Sequence, residues 1–142
     1  ITGNLYVNGN VTMSGGTPVC VIKGSLYATG NIMFGNGIQV EGSVIAGGNI
    51  VCTGNMTAVN NNAEVCIYSE SGKIAMNAAG NVMHGIIYAP NGAVEIASGG
   101  TTYYGSIIGK TFSGIPAGLN ILPPEKEFSF MPEGKPKVSL IR

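Results

Sequence analysis

Acids and bases are scarce in this chain of 142 residues, and its seven acidic residues are all glutamates. Glu41, Glu64, Glu70 and Glu95 precede residue 115, accompanied there by Lys23, Lys73 and Lys110. Acid–base work on a glycan needs paired carboxylates, or a carboxylate beside a cation, held across one bond. The pair that a regular spacing brings together is Lys23 and Glu41, 18 residues apart, and its expected meaning is a surface ion pair of small energetic weight. His84 is the single histidine. Without a second His or any Asp it completes neither a zinc site nor a Ser-His-acid triad. Cys20, Cys52 and Cys66 are odd in number, lack metal-type spacing and read as small core hydrophobes. Calcium loops depend on Asp at fixed spacings, and the chain has none. The expectation is no catalytic residue, no metal site and no cofactor.

The elements that would carry these side chains are short and repeated. Gly24-Ser25-Leu26-Tyr27-Ala28, Gly30-Asn31-Ile32-Met33-Phe34, Gly42-Ser43-Val44-Ile45-Ala46, Gly48-Asn49-Ile50-Val51-Cys52 and Gly54-Asn55-Met56-Thr57-Ala58 share one phrase. An apolar, any, apolar triplet after Gly and a small polar residue describes a strand with two inward side chains, entered through a corner that Gly, Asn or Ser turns cheaply. Three such strands make a coil of 18 residues. Sliding the sequence by one coil stacks Cys20, Ile38 and Met56; Leu26 and Val44; Ile32 and Ile50. The second inward sites stack Ile22, Val40 and Ala58; Ala28 and Ala46; Phe34 and Cys52. Every member is apolar, the signature of a solenoid. The spacing predicts an all-β, single-stranded parallel β-helix of about six coils, a rod roughly 30 Å long.

Leu5–Val7 and Val11–Met13 obey the same rule three residues out of phase, so a loop is expected at Ser14-Gly15-Gly16-Thr17-Pro18. A second interruption is expected at Asn60-Asn61-Asn62, and Gly85 and Gly105 mark equivalent corners of a longer coil. Asparagines after Gly, such as Asn4, Asn10, Asn31, Asn49, Asn55 and Asn81, read as corner residues able to adopt left-handed dihedrals and to stack as amide ladders. Asn10-Val11-Thr12 and Asn55-Met56-Thr57 also fit the glycosylation pattern, which a Gly-Asn repeat generates by chance. Residues 115–142 differ: they hold seven of the fourteen charges and five of the seven prolines. The expected division is a solenoid over 1–114 and a Pro-rich extended arm over 115–142, able to cap its own last coil or to join a neighbour.

Charged residues make up 10% of the chain and the formal net charge is zero. No basic stripe offers itself to nucleic acid, and no apolar run is long enough to span a membrane. Copies repel one another little. A solenoid also leaves unpaired strand edges and an apolar cross-section at its two ends. Neither end shows an amphipathic capping helix, so stacking of copies is expected, with Leu5, Val7, Phe112, Phe128, Phe130, Val138 and Leu140 as subunit contacts.

Three phrases carry a family resemblance: Gly42-Ser43-Val44-Ile45-Ala46-Gly47-Gly48-Asn49-Ile50, Gly85-Ile86-Ile87-Tyr88-Ala89-Pro90-Asn91-Gly92 and Tyr104-Gly105-Ser106-Ile107-Ile108-Gly109-Lys110. Over residues 1–114 the chain resembles the polymer-forming bactofilins and the solenoid domains of bacterial pilus-associated surface proteins. The resemblance implies a right-handed parallel β-helix with a structural role and, for bactofilins, end-to-end polymerisation. The Pro-rich arm departs from the short tails usual in bactofilins, and the N-terminal membrane helix usual in the pilus group is not in this sequence. The expected function is a homopolymeric filament subunit, extracellular or at the cell surface given its Asn, Thr and Gly content, with a cytoplasmic cytoskeletal polymer as the alternative. Tyr6, Tyr27, Tyr88, Tyr103 and Tyr104 keep a surface-glycan binding module open as a second reading. A polysaccharide-active enzyme is a third.

Overall fold

A triplet of three residues cannot shelter both of its inward side chains alone; it does so by lying on the triplet of the preceding coil. The computed structural model describes residues 1–16, 19–58, 65–97 and 99–124, and these residues form strands without a helix. The first face stacks β1 (Leu5–Val7), β4 (Leu26–Ala28), β7 (Val44–Ala46) and β10 (Val65–Ser69). The second stacks β2 (Val11–Met13), β5 (Ile32–Phe34), β8 (Ile50–Cys52) and β11 (Ile74–Met76). The third stacks β3 (Cys20–Ile22), β6 (Ile38–Val40) and β9 (Met56–Ala58). All of these pairings are parallel.

The upper coils are built differently. Val82, Ile87 and Val94 share one strand, β12 (Val82–Ile96), which wraps all three faces. Above it β13 (Thr102–Ser113) does the same, and β14 (Asn120–Leu122) pairs with the start of β13. Gly85 and Gly105 stack as the 20-residue spacing requires, with φ of 105° and 148° that favour glycine. Ladder pairing thus runs on past Gly114, where composition changes, as far as Leu122. Leu5, Leu26, Val44, Ile67, Ile87 and Ile107 succeed one another up the first face. The expected count of about six coils therefore corresponds to six strands in that stack and about five turns between them.

The inward columns form the core. Ile22, Leu26, Ala28, Ile32, Phe34, Ile38, Val40, Val44, Ala46, Ile50, Cys52 and Met56 are all buried, each larger aliphatic side chain contributing roughly 1.5–3 kcal/mol of transfer free energy. Cys20 is half-buried at the N-terminal end. The first coil-to-coil step is 21 residues and the next 18. The excess lies between Met13 and Cys20, where the Gly15 N–H donates to Asn36 O at 2.7 Å; Thr17 and Pro18 of that loop, and the Asn60-Asn61-Asn62 interruption, lie outside the described residues.

Corners are held by side chains that reach to the next coil. Asn10 Oδ1 accepts from the Asn31 N–H at 2.8 Å, Asn31 Oδ1 from the Asn49 N–H at 2.7 Å, and Asn49 Oδ1 from the Lys73 N–H at 2.9 Å. One corner earlier, Asn4 Oδ1 receives the Ser25 N–H at 2.9 Å and Ser25 Oγ the Ser43 N–H at 3.0 Å. The asparagines expected to stack as amide ladders do follow one another up the corner, but each amide oxygen takes a backbone N–H of the next coil rather than the next side-chain amide. In the first coil the left-handed dihedrals belong to the preceding glycines, Gly3 at φ 108° and Gly9 at φ 136°. Higher up, glycine is required by crowding, because a Cβ on Gly30 would collide with Asn10 Oδ1 and one on Gly48 with Asn31 Oδ1. Gly and Asn therefore depend on each other across coils. Around Gly48 the next atoms a Cβ would meet are Asn31 Cγ at 3.2 Å and Gly30 C at 3.4 Å, so the obstacle is chiefly one side chain. Asn31→Ala is expected to lower stability by about 1 kcal/mol and Gly48→Ala by about 1–3 kcal/mol. In urea denaturation the double variant should cost less than the sum by about 1 kcal/mol; strict additivity would disprove the coupling.

Candidate functional site at the ends of the solenoid

The residues with chemical potential are scattered. Among the described residues no group of three or more His, Cys, Asp or Glu side chains is placed to hold a metal ion. Lys23 and Glu41, expected to pair, do not: the ion pair among the described residues is Lys73 Nζ to Glu95 Oε2 at 2.7 Å. Lys23 and Glu41 follow stacked strands, but their side chains stay in water, and only their backbones are engaged, to Ile1 O at 2.8 Å and Ile22 O at 2.9 Å. Exposed charges gain too little from pairing to hold two long side chains in one geometry. His84 stacks on Tyr104 of the next coil, ring centroids 4.7 Å apart and planes 18° from parallel. Cys52 packs in the core with its Sγ 3.5 Å from Met56 Sδ. A shallow depression beside Glu95 is lined by Asn77, Ile96, Ala97, Ser113 and Gly114, which bring no second carboxylate to it. Glu64 lies outside the described residues.

The polar corner residues are structural, as expected. Asn81 is buried, its Oδ1 receives the Met56 N–H at 2.9 Å, and its Nδ2 donates to Ala78 O. Sequence reading had no signal for Ser69 and Thr101, which are also buried; they sit where a regular hexad would place an aliphatic residue or a corner. Ser69 Oγ donates to Gly48 O at 2.8 Å and accepts from the Gly72 N–H at 3.1 Å. Tyr103, expected outside, is inside the core at 2% exposure, since β13 turns its inward side at that position over Met83.

The ends are where the lattice is incomplete. β1 and β2 pair on one side with β4 and β5, and among the described residues no strand pairs with their other side. Residues 1–3 run along β3: Thr2 bridges Lys23, and the Ile1 ammonium donates to Val21 O at 2.8 Å. Leu5 and Val7 are half-buried against the core. At the other end β13 is covered by β14 over Thr102–Tyr104, while Gly105–Ser113 pair with β12 alone. Phe112, which ends the column Ile74, Val94, Phe112, is 44% exposed. Ile108, Ile115, Ile121 and Leu122, also in the last described coil, are exposed as well. Of the predicted contacts, the structure thus places Leu5 and Val7 at one end and Phe112 at the other; Phe128, Phe130, Val138 and Leu140 lie outside the described residues.

These features define the class: a parallel β-solenoid whose first and last strands are open among the described residues. Residues 3–119 match the family described as a domain of unknown function, DUF7305, and the chain belongs to that family. No curated protein and no solved structure matches it. Among the described residues no helix is long and apolar enough to cross a membrane.

The Lys73–Glu95 pair, with side chains 45% and 35% exposed, is expected to be of minor weight. A double-mutant cycle of Lys73→Ala and Glu95→Ala should give a coupling under about 1 kcal/mol that shrinks further with added salt. A larger, salt-independent coupling would mean that the pair is structural.

Proposed function

We propose that the chain is a structural subunit that self-assembles head to tail into a filament at the cell surface, in the manner of bactofilin-type and pilus-associated solenoids. The observation that carries this reading is that, among the described residues, strands at both ends of one parallel lattice pair on one side only. Copies related by translation along the axis keep their strands parallel, and such a contact is heterologous and propagates. Backbone groups left unpaired at an edge are a template for another strand. On the third face β14 already lies one level above the start of β13, whereas among the described residues the other two faces end with Gly105–Ser113. A step one strand deep therefore remains on those two faces. Phe128-Ser129-Phe130 and Val138-Ser139-Leu140 alternate as two short strands in sequence, the number needed to fill the step over Ile107 and Phe112. The next copy then closes the joint with Leu5 and Val7. A body of zero formal net charge and 10% charged residues opposes this stacking weakly.

Negative-stain microscopy of purified protein should show unbranched fibres about one solenoid wide. Phe112→Glu places a charge in the joint at a position already 44% exposed. It should abolish fibres while leaving the circular dichroism of the β-solenoid intact. A chain ending after Pro124 should lose assembly in the same way; fibres from it would remove the arm from the joint and leave β13 in direct contact with the next copy. A strictly monomeric full-length protein at high concentration would overturn the filament.

A further inference from the structure

The outward side of the first face carries a run of tyrosines, where the third face has the His84–Tyr104 stack and the second face no ring. In register, Tyr6 is followed by Tyr27, then Ile45, Tyr68, Tyr88 and Ile108. Four tyrosines spread between positions 6 and 88 thus become one straight column. Ring centroids of Tyr6 and Tyr27 are 6.1 Å apart, and those of Tyr68 and Tyr88 5.5 Å. Tyr6 is 72% exposed, Tyr27 37% and Ile108 48%, with Ile45, Tyr68 and Tyr88 partly covered by their neighbours. The equivalent column on the second face runs Thr12, Met33, Val51, Ala75, Glu95 and Ser113, without an aromatic ring.

We infer that this column is a binding surface for an uncharged polysaccharide chain lying along the solenoid axis, its sugar rings stacked on the tyrosines. Three observations select that occupant. The first is chemical: a sugar ring has a C–H face that packs on an aromatic ring and hydroxyls at its edge, and tyrosine presents an apolar body with a polar tip. The second is charge. The column contains no Lys, Arg, Asp or Glu, and Lys23, Glu41 and Glu70 sit between strands beside it. A polyanion finds no excess of positive charge there, since Glu41 and Glu70 offset Lys23 and Lys110.

The third observation is size. The surface is one side chain wide and six strands tall, about 25 Å at the usual strand spacing, which amounts to a few hundred Å². A stable contact with a second copy needs roughly 800 Å² per partner. A thin polymer needs only a track, and the ring-to-ring spacing is comparable with the length of one sugar. The inference does not rest on the filament. If copies do stack, the track resumes at Tyr6 of the next copy, beyond the strand of the arm that follows Ile108, and lengthens with each subunit.

The test is retention of the full chain on microcrystalline cellulose and on chitin, with gel mobility shifts in a soluble neutral β-glucan and in anionic alginate. Retention on at least one neutral polymer is expected, and none on alginate. Each of Tyr6→Ala and Tyr27→Ala, at exposed positions where folding is preserved, should weaken retention roughly three- to tenfold. Tyr27→Phe, which keeps the ring, and Tyr104→Ala, on another face, should leave it unchanged. The inference is overturned if no neutral polymer retains the protein, or if retention is indifferent to both Ala variants. It is equally overturned if these variants abolish a dimer in sedimentation while glycan retention is absent, which would make the column a lateral contact between copies.

Discussion

No coil of this protein can satisfy its own backbone. In a three-residue strand such as Leu26–Ala28 the N–H and C=O groups point up and down the axis, toward Leu5–Val7 on one side and Val44–Ala46 on the other. A buried peptide group without a partner costs on the order of 1–3 kcal/mol, so each coil is stable only between two others. The same requirement aligns the side chains: once the backbone is in register, Leu26 lies over Leu5 and under Val44, and the core fills as a set of columns. Everything else in the molecule is an answer to that demand, including the problem it leaves at the two ends.

The corners show how tightly one coil constrains the next. Asn31 holds the N–H of Asn49, and its carbonyl oxygen stands where a side chain at Gly48 would begin. The Gly-Asn phrase is thus read twice, glycine making room for the amide below and asparagine supporting the coil above. The polar inventory is largely spent on this scaffold. Asn4, Asn10, Asn31, Asn49 and Asn81 all serve backbone groups, and among the described residues the ion pair formed is that of Lys73 and Glu95. What such a surface offers is not reactive groups but repeated ones, at its edges and along its faces.

Much of this was legible in the residues because a period of 18 leaves little freedom. The 18-residue offset that aligns Ile32 with Ile50 and Phe34 with Cys52 in sequence is the register of the paired strands. The phase shift before Cys20 was legible for the same reason. Where the period lapses, so does the reading. Lys23 and Glu41 are on adjacent coils without touching, because register places backbones and leaves long exposed side chains to solvent. In sequence Tyr103 reads as a surface residue, yet the coil of β13 is set by pairing with Met83 and carries the ring inward. The tyrosine column could not be seen, since the steps joining Ile45 to Tyr68 and Tyr68 to Tyr88 differ in length from the earlier ones.

The amino-acid sequence by itself determined the solenoid, its inward columns and its glycine–asparagine corners, because these follow from local alternation and a repeat that every coil obeys. Only the tertiary structure decided which outward residues share a column, which strand edges are covered, and where the polar groups of the longer coils are buried. Those features depend on how many residues each corner absorbs, and that number is settled by the pairing of one coil with the next rather than by any residue within it.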